Sequence, residues 1–194
     1  HVSAVADAYT EFGPLAIANA EALGVAQLAS SDGGDATADL TNTSMDSIDV
    51  HATASATGVF AYADGYGFGA AQVVTAFGSD DTGSAVIDNS GRVSVDINAV
   101  ANGSAIAAAE ADAAGVEQLV VSGAVADAYI DNSGLVEVNA WAESNSDDVA
   151  SANAGAQGAL QISEADFGMG PGYTADAALI NGSSISADAT AKAY

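Results

Sequence analysis

The chain repeats itself, and that constrains its fold more than any single residue does. A glutamine closes a run of small residues four times, in Gly24-Val25-Ala26-Gln27, Gly69-Ala70-Ala71-Gln72, Gly115-Val116-Glu117-Gln118 and Gly158-Ala159-Leu160-Gln161. These glutamines are spaced by 45, 46 and 43 residues. An asparagine turn keeps the same rhythm, in Leu40-Thr41-Asn42-Thr43-Ser44, Ile87-Asp88-Asn89-Ser90-Gly91, Ile130-Asp131-Asn132-Ser133-Gly134 and Ile180-Asn181-Gly182-Ser183, with spacings of 47, 43 and 49. Length varies mainly between each Gln and the next Asn, which implies a fixed scaffold with one variable corner. Residues 1–194 therefore read as a single array of about four periods, with asparagine turns at 42, 89, 132 and 181. The array starts and stops in nearly the same phase. Self-contained repeat proteins carry atypical capping repeats, so the expectation is a window cut from a longer chain.

After each asparagine turn the apolar residues alternate with polar ones. Val93, Val95, Ile97, Ala99 and Ala101 form one such run, Val136, Val138, Ala140 and Ala142 a second, and Ile48, Val50, Ala52 and Ala54 a third. Period-2 alternation led by β-branched residues predicts half-buried strands. The stretch Ser104–Gly115 has high intrinsic helix propensity, but its counterparts in the other periods carry glycines, aromatics and alternating polar residues. Because repeats share one conformation, the prediction is strand throughout. Each period then holds a strand after the asparagine turn, a longer small-residue strand ending at Gln, and a third, variable strand leading to the next turn. Asn and Gly in that turn tolerate positive φ, and Asp can cap its own backbone. The fold class expected is all-β, a β-solenoid of repeats about 45 residues long, with inward alanines that let its walls approach closely. An antiparallel β-sandwich fibre subunit is the alternative.

Composition narrows the function. Twenty-six acidic residues face two basic ones, Arg92 and Lys192, giving a formal charge of −24. Nucleic-acid binding is excluded, because no set of lysines and arginines is available to neutralise phosphates. Anionic membrane surfaces repel the chain for the same reason, and no run approaches the roughly 18 apolar residues that a helical span needs, so no membrane insertion is expected. Zero cysteines remove disulfides and thiolate chemistry. With so few cations the acids must be solvated, hydrogen-bonded or metal-bound.

The repeated form I-D-N-S-G-x-[VI]-x-V-x-A-x-A, followed by an Ala/Gly-rich run ending in Gln, resembles the repeat regions of large secreted bacterial β-solenoid surface proteins, the autotransporter passengers and haemagglutinin-like adhesins. The resemblance covers the whole chain. It implies an extracellular, cell-surface location and a structural role in a fibre, adhesin or biofilm matrix, with no catalysis. The matching positions are turn and core positions, so no catalytic residue carries over.

The remaining candidates come from the residues themselves. Asn42, Asn89, Asn132 and Asn181, and likewise Gln27, Gln72, Gln118 and Gln161, suit amide ladders in which each side chain bonds to its copy one coil away; for Asn, turn chemistry alone would also suffice. Phe60, Tyr62, Tyr66 and Phe68 cluster in one repeat at alternating spacing. They form either an exposed stripe for glycan or partner docking or a packing surface. Asp80, Asp81, Asp147 and Asp148 are candidate Ca²⁺ ligands, the only cofactor the sequence suggests; solvated loops are the competing reading. His51 sits at an outward strand position and His1 is 50 residues away, so neither suggests a catalytic base. The functional alternatives to a plain structural segment are a glycan- or Ca²⁺-binding module displayed on the solenoid and a self-polymerising filament subunit. The expected partners are copies of the chain along a fibre, or surface glycans and proteins.

Overall fold

A computed structural model describes residues 1–10, 14–78, 80–165 and 174–194. These residues are all-β, with no helix among them. Eleven strands follow one another: β1 (Val2–Tyr9), β2 (Leu15–Ser31), β3 (Ala36–Asn42), β4 (Ser47–Ala76), β5 (Thr82–Asn89), β6 (Arg92–Ser122), β7 (Val125–Asn132), β8 (Leu135–Ser146), β9 (Val149–Ala165), β10 (Thr174–Asn181) and β11 (Ile185–Ala193). The helix-prone stretch after Ser104 lies inside β6, so its alanines serve a strand.

Every pairing is parallel, which overturns the antiparallel sandwich. One sheet runs β1-β4-β6-β8-β11, with β2 on β4 and β9 on β6; the other runs β10-β7-β5-β3. Each strand pairs with its counterpart one repeat later: Val50 with Val95, Val95 with Val138, Val138 with Ala187, and in the second sheet Asn42 with Asn89 and Asn89 with Asn132. Side chains at equivalent repeat positions therefore stack in columns, since parallel in-register neighbours lie about 4.8 Å apart.

The first two strands of the predicted period fuse into one long strand in β4 and β6, and glycines bend it. In β4 the even-numbered residues Val50, Ala52, Ala54 and Ala56 are buried, then the odd-numbered Ala61 and Ala63, then the even-numbered Ala70, Gln72, Val74 and Ala76. The first change falls at Gly58 and Phe60, where the register to β6 shifts by one residue. The second falls at Gly69. A strand cannot switch which parity faces the core without a corner, so one 30-residue strand supplies three walls. The glutamines do not end their strand as expected. Gln72 and Gln118 lie on the third wall, and β4 and β6 run four residues beyond them, to Ala76 and Ser122.

The core follows from these corners. Val50, Val93, Val95, Ile97, Val136 and Val138 form the bulky first wall, and alanines from Ala16, Ala61 and Ala107 onward form the second. Where the walls meet, the column Gly24, Gly69, Gly115, Gly158 leaves room for the branched side chains. A Cβ on Gly69 would lie 2.4 Å from Val93 Cγ1 and 2.7 Å from the carbonyl oxygen of Gly115. The expectation that the Asn-Ser-Gly turn uses positive φ is also corrected: among the described residues only Gly34 has a positive φ, 147°. Gly134 is required for close approach instead, since a Cβ there would sit 1.9 Å from the carbonyl oxygen of Gly91 in the turn one layer away.

Candidate functional site

Two columns of buried amides run through the layers. In the first, Asn42 Nδ2 donates to Asn89 Oδ1 (2.7 Å), Asn89 Nδ2 to Asn132 Oδ1 (2.7 Å) and Asn132 Nδ2 to Asn181 Oδ1 (2.8 Å). Each asparagine is the last residue of its strand; Asn42, Asn89 and Asn132 are buried, the last two both 1% exposed, while Asn181 is exposed. The turn amides then bond to asparagine carbonyls one layer away, as Ser133 N and Gly134 N do to Asn89 O. The second column has the opposite sense. Gln72 Nε2 donates to Gln27 Oε1 (2.7 Å), Gln118 Nε2 to Gln72 Oε1 (2.9 Å) and Gln161 Nε2 to Gln118 Oε1 (2.9 Å). The glutamines also reach across to the other sheet, Gln72 Nε2 to the carbonyls of Ala38 and Val86, and Gln118 Nε2 to that of Tyr129. They therefore join the third wall to the β3-β5-β7-β10 sheet. No buried side-chain N or O atom lacks a partner among the described residues.

The aromatic candidates lie on the outward side of the second wall. Alternation places Phe60, Tyr62, Asp64, Tyr66 and Phe68 on one side of β4, with Tyr62 and Tyr66 39% and 40% exposed and both phenylalanines half-buried. The Tyr66 and Phe68 rings meet edge to face at 6.2 Å. Register supplies their neighbours: Tyr62 stands between Ile17 and Ala108, Asp64 between Asn19 and Glu110, and Tyr66 between Glu21 and Asp112. The small residue at 108 leaves an open depression of about 420 Å³ beside Tyr62, floored by Ala109 and rimmed by Asn19, Asp64, Glu110 and Asn153. Asn153 Nδ2 donates to Glu110 Oε1 at 3.2 Å. A second hollow of about 350 Å³ lies between Tyr66, Asp112, Glu117 and Gln157.

Crowded carboxylates perturb this surface. Partial burial holds the Asp112 carboxyl above the usual carboxylate range, and Glu110 and Asp64 push it further the same way. The Tyr66 hydroxyl is raised above its ordinary value by burial first, then by Glu117, Glu21 and Asp112. Aromatic faces beside carboxylate and amide acceptors can stack a sugar ring and bond its hydroxyls. The acids were not singled out from the sequence because Glu21, Asp64 and Asp112 are far apart in the chain. Aligning the periods residue by residue was the signal that would have joined them.

The candidate calcium ligands are not brought together. Asp80 and Asp81 lie at the variable corner before β5, and Asp147 and Asp148 at the corner between β8 and β9. Asp81 Oδ2 accepts from the backbone amides of Gly34 and Gly78, both at 2.8 Å, and so ties two layers of its corner together. No group of three or more potential metal-ligating side chains occurs among the described residues.

The two basic side chains each meet a partner from the neighbouring layer: Arg92 reaches Glu137 at 2.8 Å, and Lys192 Nζ lies 4.3 Å from the centre of the Trp141 ring. His51 Nδ1 is 3.4 Å from Asp96 Oδ2. His1 and His51, which look remote in sequence, are one layer apart, with ring centroids at 5.2 Å. Protein-family models, curated proteins and solved structures were all compared with this chain, and none matches it.

Proposed function

We propose that this chain is a structural segment of an extracellular bacterial surface fibre or adhesin, built as a β-solenoid, with no catalytic role. One observation carries the reading: every strand pairs in parallel register with its own copy one repeat away, and buried Asn and Gln columns run through the layers. An architecture of this kind lengthens by adding identical layers of about 4.8 Å. Uncompensated acidity supports an exposed, hydrated surface, because charge of one sign keeps such a body dispersed. The placement outside the cell rests on the resemblance of the I-D-N-S-G repeats to secreted surface proteins.

Duplicating one period tests the layered reading. A chain with residues 90–132 repeated in frame, 43 residues longer, is expected to keep a β-type far-ultraviolet spectrum and to melt at the same temperature or higher. Loss of cooperative folding in that chain would falsify it.

The Tyr62–Asp64–Tyr66 surface favours a second reading, a glycan-docking face on the same scaffold. Its test is titration with neutral oligosaccharides followed by tyrosine fluorescence. A response lost in a Tyr62→Ser/Tyr66→Ser variant supports it, and no response in the parent chain removes it.

A further inference from the structure

Three hollows open on the outward side of the second wall, and the same side chains recur in each. The hollow of about 420 Å³ sets Tyr62 with Asp64 and Glu110. The hollow of about 350 Å³ sets Tyr66 with Asp112 and Glu117. A third, of about 380 Å³, sets Tyr66 with Glu21 and Asp64. A tyrosine ring with two carboxylates is common to all three. Parallel register explains the recurrence: strands about 4.8 Å apart put Asp64 next to Glu110 and flank Tyr66 with Glu21 and Asp112. The face centres on β4 and β6, each of which has paired strands on both sides.

No cation of the chain answers these acids. Its two basic side chains lie elsewhere, Arg92 against Glu137 and Lys192 over Trp141, on strands of the first wall. Glu21, Asp64, Asp112 and Glu117 have no hydrogen-bond or salt-bridge partner among the described residues. Burial first, then Glu110 and Asp64, hold the Asp112 carboxyl above its ordinary range, so a bound cation relieves a repulsion already present. The remaining lining selects among cations. Asn19, Ser151 and Asn153 border the Tyr62 hollow. Amides and hydroxyls both donate and accept, which suits the hydroxyls of a sugar ring. A lysine or arginine side chain carries donors alone and offers the amide N–H groups no acceptor. A tyrosine face stacks on the apolar side of a sugar, and an ammonium on that ring is drawn to the aromatic quadrupole as well. Acidic sugars are repelled.

We propose that this face binds a polymeric glycan whose sugars carry free amines, with a ring stacked on each tyrosine and its ammonium held by the neighbouring carboxylates. This rests on the glycan-docking reading above and deepens it, since it names the class of sugar. Tyr62 and Tyr66 stand about 13 Å apart along one strand, so a ligand covering both contains several linked sugars. Its ion pairs form at an exposed surface, and salt weakens them.

Calorimetric titration of the full chain tests this with three probes: a glucosamine hexamer, the same hexamer fully N-acetylated, and hexalysine. Mildly acid pH and low salt keep the sugar amines protonated and the ion pairs unscreened. The free-amine hexamer should bind about ten-fold more tightly than the acetylated one, the gain that a few exposed ion pairs supply, and added salt should erase the difference. Asp64→Asn/Glu110→Gln, both at exposed positions, should cut the preference several-fold. Asp127→Asn/Asp131→Asn removes the same charge from the other sheet and should keep it. Equal losses in the two variants would overturn the proposal, because bulk acidity would then account for the binding. Hexalysine binding as tightly as the glucosamine hexamer would overturn it in favour of a basic peptide. If the two hexamers bind alike, the choice of amino sugar fails and glycan docking stands; if neither binds, the docking reading itself fails.

Discussion

Gln118→Leu is the sharpest probe of the scaffold, because it keeps nearly the same volume while removing every polar contact of one ladder rung. Gln118 is 2% exposed; it donates to Gln72 Oε1 at 2.9 Å and to the Tyr129 carbonyl at 3.0 Å, and it accepts from Gln161 Nε2 at 2.9 Å. The substitution strips Gln72 Oε1 of its donor inside the core and takes one acceptor from Gln161, which keeps its bond to the Ala178 carbonyl. A buried polar atom left without a partner costs about 1–3 kcal/mol, and an ordinary hydrogen bond contributes about 1 kcal/mol net. Leucine recovers about 1–2 kcal/mol through its added apolar surface. The expected net loss is roughly 2–4 kcal/mol, dominated by the orphaned Gln72 oxygen. Urea unfolding followed by circular dichroism measures it, with an unchanged m-value showing that the same surface is exposed on unfolding. The same change at Gln27, whose Nε2 bonds the Asp39 carbonyl at an exposed site, should cost less than half as much. A loss at Gln118 below about 1 kcal/mol would refute the reasoning, since it would mean that the buried amides are replaceable by packing alone.

Gly69→Ala should destabilise by about 1–3 kcal/mol through overpacking against Val93 and the Gly115 carbonyl. Gly33→Ala, with nothing within 4 Å of the added Cβ, should be near neutral in the same urea titration. Asp81→Ala should cost about 1–3 kcal/mol, because its carboxylate holds the amides of Gly34 and Gly78; the loss should be the same with and without EDTA in thermal melts. Acidification should stabilise the protein. The Asp112 carboxyl titrates above its unfolded value of 3.8, so its penalty is fully present above the folded pKa and disappears as pH falls toward 3.8. The melting temperature in low salt should therefore rise between neutral pH and the upper carboxylate range, and Asp112→Asn should flatten that rise.

Alternation made the strands legible, and fixed spacing marked the amide columns, because both properties survive in a single line of text. The corners were less visible. Gly69 and its column stood in plain view three residues before each glutamine, yet their role depends on the branched Val93 and Val95 facing them from another wall. The end of the strand was misplaced for a related reason: Gln72 closes a run of small residues, but Val74 and Ala76 continue its buried parity past the corner. Phe60, Tyr62, Tyr66 and Phe68 can be grouped from the sequence because all four rings lie in one strand. Their acidic rim cannot, since Glu21, Asp64 and Asp112 meet only through registers a whole repeat long. His1 and His51 likewise meet only across a whole repeat.

The parallel layers also determine how such a body responds to force. Tension applied at the two chain ends loads the edge strands first, and each layer released frees one repeat, 45 residues in the case of Gln27 to Gln72. At about 3.4 Å per residue that is roughly 150 Å of slack, more than thirty times the thickness of the layer it came from. The remaining layers stay paired and present a fresh edge of the same kind. Extension should thus proceed in near-equal steps at near-equal force, giving a surface fibre built this way a reserve of length that absorbs shear before the fibre breaks.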